Sequence, residues 1–273
     1  MMIIILLLGL VIGSFLNILI DRIPKGESPI RGRSYCDKCK KTLKWYDLIP
    51  LFSFIILKGK CRYCRASLSW YYSVVELTTG IMFVVTTLFI LNNFKFSILN
   101  FQSNLNYSIT NYQLLIPLAY YLFVVSCLIV IFFADLKYGI IPDKIIFPAI
   151  AVSFLYFLIN HSSLIINHLF SAVGASLFFL LLFLITKGKG MGFGDVKFAF
   201  LMGLILGFPN IIVGLYVAFL TGAIIGCILI LWRKKRVFGT AIPFGPFLVI
   251  GTLVSIFLGD FLFQNFLRIM VLH

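Results

Sequence analysis

Long apolar runs, separated by short polar or charged segments, dominate the pattern of this chain. Several runs reach or approach the roughly 20 residues that a membrane-spanning helix needs. The pattern therefore predicts an all-α polytopic membrane protein with about eight transmembrane helices. The sixth predicted span is short and Pro209 follows it, so six or seven spans also fit the pattern. The predicted spans are residues 2–20, 72–91, 114–134, 145–159, 169–186, 197–208, 211–232 and 246–266.

Composition supports this interpretation. Hydrophobic residues make up 61% of the 273 residues and charged residues only 12%, whereas a soluble domain carries about 25% charged residues. The net charge of +14 would favour a nucleic-acid partner in a soluble protein. No basic stretch here has the interleaved aromatic residues of a nucleic-acid groove, so we expect no such partner.

The positions of the basic residues predict the orientation of the chain. Twelve of the 23 Lys and Arg residues lie between Arg22 and Arg65, and Arg233–Arg236 is a run of four more. If the N-terminus is outside, only Lys95 and Arg268 fall on the outer side, as the positive-inside rule requires. The segments predicted to be cytoplasmic are 22–71, 135–144, 187–197 and 233–245.

The first span predicts an uncleaved anchor, because its charges, Asp21 and Arg22, follow the apolar run instead of preceding it. Gly9 and Gly13 are spaced for close packing against another helix. The expected organisation is a first transmembrane helix (1–20), a cytoplasmic cysteine loop (21–71) and a membrane domain (72–273).

Four cysteines in the first cytoplasmic loop have the spacing of a metal site. They form two Cys-x-x-Cys pairs separated by 21 residues, an arrangement that lets four thiolates converge on zinc. A cytoplasmic location argues against disulfides, and the loop contains no His. We therefore expect a closed, structural zinc site formed by Cys36, Cys39, Cys61 and Cys64.

The segment between the cysteine pairs is too short to span a bilayer. Residues 48–57 are largely apolar, and a run of ten such residues is suited to the membrane interface. We expect this segment to hold the cysteine loop against the membrane face.

Four of the nine acidic residues lie at predicted cytoplasmic ends of spans: Glu76, Asp135, Asp143 and Asp195. An ionisable residue at membrane depth is costly, and its default interpretation is functional. Asp135 follows the apolar run of the third span. Asp195 ends a turn in which glycines at every second position allow close backbone approach. No predicted strand precedes this turn, which excludes a dinucleotide-binding fingerprint.

Two aspartates held close together have the chemistry of a hydrolase. One keeps its proton and the other is ionised, so one can activate water while the other protonates the scissile amide. His161 and His168 lie in a predicted outer loop, and the third histidine is the terminal His273. None lies on the predicted cytoplasmic side, which excludes a His-based triad or an intramembrane zinc hydrolase there. Alternatively, Asp135 and Asp195 pair only with Lys137 and Lys197, relay ions in a transporter, or belong to a zinc-stabilised scaffold without chemistry.

Motifs along nearly the whole chain resemble, in order, those of the type IV prepilin peptidases, which are Gly-x-Gly-Asp membrane aspartyl proteases. One departure is Tyr71-Tyr72-Ser73, where the family commonly has Arg-Tyr-Pro. The motifs are Gly13-Ser14-Phe15-Leu16-Asn17 with Arg22-Ile23-Pro24, the two cysteine pairs with Pro50-Leu51-Phe52-Ser53, Glu76-Leu77-Thr78-Thr79-Gly80, Asp135 with Ile141-Pro142-Asp143, Gly192-Phe193-Gly194-Asp195-Val196-Lys197, and Ile242-Pro243-Phe244-Gly245-Pro246.

This resemblance implies that Asp135 and Asp195 are the catalytic pair. It implies cleavage of the basic leader of prepilin or pseudopilin precursors at the cytoplasmic face of the bacterial inner membrane. It also implies N-methylation of the new N-terminus with S-adenosylmethionine, with a peptidase lacking this second activity as the alternative. The residues expected to support the site are Gly192, Gly194, Lys197, Pro142, Asp143 and Glu76.

Overall fold

The chain is almost entirely helical in the computed structural model, which describes residues 2–29, 32–36, 38–101, 112–160, 163–188, 190–232 and 243–271. A short 3-10 helix, Trp45–Leu48, precedes the second α-helix. The described residues contain no β-strand, only two isolated bridges. Their α-helices are α1 (Met2–Arg22), α2 (Phe52–Ile56), α3 (Trp70–Phe101), α4 (Tyr112–Tyr138), α5 (Asp143–Asn160), α6 (Ile165–Ile185), α7 (Phe193–Leu206), α8 (Asn210–Trp232) and α9 (Gly245–Val271).

Seven helices of the described part are long and apolar enough to cross a membrane, namely α1, α3, α4, α5, α6, α8 and α9. They match seven of the eight predicted spans, so the prediction of a multi-pass membrane protein is confirmed. The eighth prediction, 197–208, corresponds to α7, which has 14 residues and is therefore about 21 Å long. It ends at Leu206 because Gly207 adopts a φ of +66° and Pro209 follows.

The helices divide into two compact units, Met1–Val130 and Ile131–His273. In the first unit, α1 packs along α3 at very short range. A Cβ on Gly9 would lie 2.8 Å from the Cα of Gly80, and one on Gly13 would lie 2.8 Å from the Cα of Glu76. The predicted role of these two glycines in close helix packing is thereby confirmed.

The short helix α7 forms the core of the second unit. It packs against α6 and also contacts α5 and α9, while α8 packs along α9. Four of the large side chains of α7 are fully buried: Phe198, Leu201, Met202 and Leu204. An apolar surface all around a helix is the pattern expected of one surrounded by protein.

Backbone groups at and just after the C-terminal end of α7 form hydrogen bonds with polar side chains of α6. His168 Nδ1 lies 2.8 Å from the carbonyl oxygen of Leu204, and its ring stacks on Phe157. Asn167 donates to the carbonyl of Phe208 and accepts from its N–H. His168 was predicted in an outer loop, and this was wrong, because α6 begins three residues earlier and buries the ring.

Some predictions fall on residues that the structure does not describe. Residues 102–111 of the predicted outer loop, His161 and the basic run Arg233–Arg236 lie outside the described ranges. The helix α3 continues to Phe101, ten residues beyond the predicted end of its span.

Candidate active site and cysteine cluster

Asp135 lies near the end of α4, within the second unit. The helix ends at Tyr138 because Gly139 follows with a φ of +65°, and the N–H of Gly139 donates to the carbonyl of Asp135. The side chain of Asp135 is only 5% exposed. The fixed helix end thus places a carboxylate among apolar neighbours.

The start of α9 covers Asp135 so closely that only glycine fits. The backbone N–H of Gly245, the first residue of α9, donates to the Asp135 carboxylate. A Cβ on Gly245 would lie 2.5 Å from Asp135 Oδ2. Helix N-termini carry unpaired N–H groups and favour negative charge, so α9 stabilises an ionised Asp135.

Asp195 lies in the first turn of α7 itself. Its Oδ2 accepts a hydrogen bond of 3.1 Å from the N–H of Gly192, the residue that caps the helix. The side chain is 6% exposed. The glycine-rich segment therefore does not end in a turn at Asp195, as predicted, because α7 already begins at Phe193.

The two carboxylates influence each other. Burial, and secondly the negative charge of Asp135, raise the pKa of Asp195 to about 6, although the N–H of Gly192 opposes the shift. Asp135 Oδ2 is buried and has no hydrogen-bond partner among the described residues. An acceptor in this position is suited to a proton, a water molecule or a substrate group.

The supporting residues of the second unit hold α5 and α7 together. A Cβ on Gly194 would lie 3.1 Å from Cβ of Ile141, so this glycine permits close contact with the segment before α5. Lys197 Nζ lies 2.7 Å from Asp143 Oδ1. Its ion pair is thus with Asp143, and the alternative in which Lys197 neutralises Asp195 does not describe this structure.

Gly192 and Pro142 act through backbone hydrogen bonds and not by allowing close packing. The carbonyl of Pro142 accepts from the N–H groups of Ile145 and Ile146 and so begins α5. Gly192 has an ordinary φ of −82°, and the nearest atom to a Cβ there would be 3.8 Å away. Its contribution is the N–H that it donates to Asp195.

Glu76 belongs to the first unit, where it fixes the interfacial segment. Its Oε2 accepts a 2.9 Å hydrogen bond from the N–H of Leu51, and Ser14 is a second partner. Leu51 has a φ of +59°, a strained conformation for this residue. Glu76 therefore connects α3 to the segment 48–57, for which we predicted attachment at the membrane face.

The four predicted cysteines come together in the first unit. Their Sγ atoms all lie within 4.8 Å of one another, and those of Cys36 and Cys64 are 3.8 Å apart. Four thiolates around a metal at about 2.3 Å would be separated by about 3.8 Å. The cluster could therefore hold a metal ion.

The two cysteine pairs share one backbone pattern. In each pair, the N–H of the first cysteine donates a hydrogen bond to the carbonyl oxygen of the residue five positions later, Lys41 or Ala66. The residue after the second cysteine, Lys40 or Arg65, has a φ of 55°. Its N–H donates a hydrogen bond to the carbonyl oxygen of the first cysteine. The two loops are thus equivalent halves of one metal site.

Gly245 was not among the residues predicted for the site. Its motif belongs to the family resemblance, and no property of the isolated sequence places it against a residue 110 positions earlier. The alternation of Pro and Gly in Pro243-Phe244-Gly245-Pro246 was the available signal, since it marks a helix start with close backbone approach.

Comparison with known proteins relates both units to one family. Residues 7–90 match the Bacterial Peptidase A24 N-terminal domain, and residues 122–227 match the Type IV leader peptidase family. No solved structure matches the chain.

Several curated relatives share the name prepilin leader peptidase/N-methyltransferase. The one from Xanthomonas campestris pv. campestris is 30% identical over 96% of this chain and 92% of its own length. The one from Bacillus subtilis is 28% identical over 98% of both chains. The one from Pseudomonas aeruginosa is 28% identical over 96% of this chain and 92% of its own.

Replacing Asp195 by Asn is expected to stabilise the protein at neutral pH. Folding raises the pKa of Asp195 from 3.8 to about 6, so the ionised carboxylate costs stability increasingly as the pH rises from about 4 to about 6. At about 1.4 kcal/mol per pKa unit, Asp195→Asn gains at most about 3 kcal/mol above pH 6, progressively less as the pH falls, and almost nothing below about pH 3.

Thermal unfolding of the micelle-bound protein at pH 4.5 and pH 7.5 measures this effect. The matched control is Asp143→Asn, which removes an exposed ion pair and should change stability by less than about 1 kcal/mol. A loss of stability in Asp195→Asn at pH 7.5 would contradict the prediction.

Replacing Cys36 by Ser is expected to remove the metal, because three thiolates and a hydroxyl bind a soft cation much more weakly. Elemental analysis of the purified protein should find about one metal ion per wild-type chain and almost none in Cys36→Ser. Cys227→Ser, which changes an exposed thiol of α8, is the control. Equal metal content in all three proteins would rule out the cluster as the site.

Proposed function

The chain belongs to the type IV leader peptidase family, and from this premise we propose that it is a prepilin aspartyl endopeptidase whose catalytic pair is Asp135 and Asp195. The observation that supports this assignment is the presence of two buried aspartates, of which Asp135 is near enough for its negative charge to raise the pKa of Asp195. Each is held by a backbone N–H beside the start of a helix.

The proposed reaction is hydrolysis of one peptide bond by a pair that shares a proton. The ionised carboxylate takes a proton from water, and the hydroxide adds to the carbonyl carbon as the carboxylic acid protonates the carbonyl oxygen. The tetrahedral intermediate then collapses and the C–N bond breaks. The leaving nitrogen takes up the proton that the first carboxylate had taken from water, and the other carboxylate regains its proton from a hydroxyl of the intermediate. The pair titrates as a unit, so the roles are assigned to the pair.

The backbone contacts favour this chemistry in two ways. The N–H groups of Gly192 and Gly245 restrict the carboxylates to one orientation, which keeps the reacting atoms aligned. They also stabilise negative charge without bringing a cation next to the pair. The proton of the pair is therefore available for transfer, whereas a Lys or Arg partner would keep both carboxylates ionised.

The proposed substrates are prepilin or pseudopilin precursors. Such a precursor has a basic leader followed by an apolar helix, and the resemblance implies cleavage after a glycine. We place the active site on the cytoplasmic side of the bacterial inner membrane, because 21 of the 23 basic residues lie on that side of the predicted topology. The three-part organisation of anchor (1–20), cysteine loop (21–71) and membrane domain (72–273) remains part of the proposal.

The proposal includes N-methylation of the new N-terminus, the second activity in the name of the relatives. The cosubstrate, S-adenosylmethionine, supplies an electrophilic methyl group on a sulfonium. In the transfer, the free amine forms the N–C bond, the C–S pair of electrons remains on sulfur, and the amine loses a proton to solvent. No step of this transfer requires Asp135 or Asp195.

We further propose that the ion of the cysteine cluster is zinc with a structural role. All four ligands are thiolates, and a closed set of four leaves no open position for a substrate or water. The metal would join the two loops of the cluster and so order the segment between them. Elemental analysis of the wild-type protein that finds a metal other than zinc would refute this identity.

Asn substitution of either aspartate is expected to abolish cleavage. Asn retains the shape of the side chain but cannot accept and return a proton, so the rate should fall by about 10²- to 10⁴-fold. The test measures the rate at which wild type, Asp135→Asn and Asp195→Asn cleave a prepilin precursor in lipid vesicles. Asp260→Asn, whose carboxylate bonds Asn210 in the same unit, is the matched control.

If either variant of the pair cleaves at the wild-type rate while correctly inserted, that residue is not catalytic and the two-aspartate mechanism fails. Loss of cleavage in Asp260→Asn as well would mean that the assay reports folding instead of chemistry.

Substitution of Gly245 by Ala is expected to lower cleavage without altering a carboxylate. The new methyl group would overlap Asp135 Oδ2 and displace it, and a displacement of about 1 Å costs about 100-fold in rate. The same vesicle assay measures the effect. Gly226→Ala is the control, because a Cβ at that position meets no atom within 4 Å; equal rates in both variants would contradict the close contact.

A further inference from the structure

The first unit contains a cavity that the proposed cleavage reaction does not use. Its volume is ≈ 460 Å³, within the range of about 300–1,000 Å³ for small-molecule sites. It lies between the second half of α1, the first turns of α3 and the cysteine loop. Cys36 and Cys61 line it, so the metal cluster supports one wall.

Asn17 lines this cavity and carries an unpaired acceptor. Its side chain is 7% exposed, and its Oδ1 has no hydrogen-bond partner among the described residues. The Nδ2 group donates to the carbonyl of Tyr72 at 3.1 Å. A carbonyl can only accept, so this bond fixes the amide orientation and leaves the oxygen for another donor or for a positive charge.

Glu76 adds a buried negative charge to the same cavity. It lines the cavity and is 8% exposed. Its two partners, the N–H of Leu51 and the hydroxyl of Ser14, bring no positive charge. A buried carboxylate is costly unless a cation compensates it, so this wall is complementary to a cationic ligand.

The remaining wall suits a ligand that is both aromatic and zwitterionic. Phe54 and Tyr72 line the cavity with aromatic rings, which attract organic cations and stack on planar groups. The ionic residues Asp21, Arg22, Lys25 and Arg62 also line the cavity. Ionic side chains of both signs can pair with the amino acid group of a ligand. A lipid chain would satisfy neither the Asn17 oxygen nor the Glu76 carboxylate.

We propose that this cavity binds the methyl donor S-adenosylmethionine, with the Glu76 carboxylate and the Asn17 oxygen recognising its positive charge. The donor combines a sulfonium, a planar base and an amino acid group, which are the features that the cavity walls match. This inference rests on the methyl transfer in the proposed function and is independent of the aspartate pair. It assigns the anchor helix α1 and the start of α3 to the second activity.

The test compares the affinity for two ligands that differ in one charge. Tritiated S-adenosylmethionine carries the sulfonium, whereas S-adenosylhomocysteine is its neutral thioether. Equilibrium binding is measured on full-length protein in lipid nanodiscs for wild type, Glu76→Gln, Asn17→Leu and Glu27→Gln. Glu27 also lines the cavity but is exposed, so Glu27→Gln is the matched control.

Glu76→Gln keeps an acceptor for Leu51 and removes only the charge. Its affinity for S-adenosylmethionine should fall about tenfold or more, the usual effect of losing a charge-assisted contact, while S-adenosylhomocysteine binds within about threefold of wild type. Asn17→Leu should also bind S-adenosylmethionine more weakly than wild type. Glu27→Gln should bind both ligands with wild-type affinity, since the charge of Glu27 is screened by water. Retained binding of the neutral ligand shows that Glu76→Gln is folded.

The proposal is overturned if Glu76→Gln and Asn17→Leu bind the donor as wild type does, or if Glu76→Gln loses both ligands equally. Cleavage by the wild type is measured separately. A wild type that cleaves prepilin but binds no donor refutes this inference and leaves the peptidase intact. A wild type that binds the donor through Glu76 but does not cleave refutes the peptidase and leaves the inference intact.

Discussion

The second unit depends on keeping two carboxylates out of water and beside each other. Asp135 and Asp195 are both nearly fully buried, and burial of an ionised carboxylate is so unfavourable that such groups change their pKa or acquire partners. Here the partners are the N–H groups of Gly245 and Gly192. Because these groups lie at the N-termini of α9 and α7, the positions of both helices are linked to the charge that they stabilise.

In the first unit, the buried carboxylate of Glu76 likewise accepts a hydrogen bond from a backbone N–H, that of Leu51. The Lys197–Asp143 ion pair involves an exposed carboxylate, whereas in the Arg62–Asp47 pair the guanidinium is exposed and the carboxylate is buried. The chain thus has many basic residues, but the described hydrogen bonds of Asp135, Asp195 and Glu76 come from neutral groups. A carboxylate without a fixed cation remains able to exchange a proton or bind a positively charged group.

Sequence alone predicts the features that depend on local pattern. Hydropathy identifies seven spans, and spacing identifies the cysteine cluster, because each follows from residues near one another in the chain. Contacts between distant helices are not encoded in this way. The partner of Lys197, the contact of Gly245 with Asp135, and the bond from Leu51 to Glu76 depend on backbone positions set by packing. The early end of α7 was signalled by Pro209, yet its full burial required the structure.

The length of α7 has a consequence for the surrounding lipid. Its 14 residues extend about 21 Å, against about 30 Å for the hydrocarbon layer. Because α7 is surrounded by other helices of the unit, these helices must cover the difference in length, and any local thinning of the bilayer acts through them. Asp195 lies in the first turn of α7, so its depth is tied to the thickness of the membrane. Lipid chain length thereby becomes a variable of the proposed active site, and cleavage rates in bilayers of graded thickness would measure its effect directly.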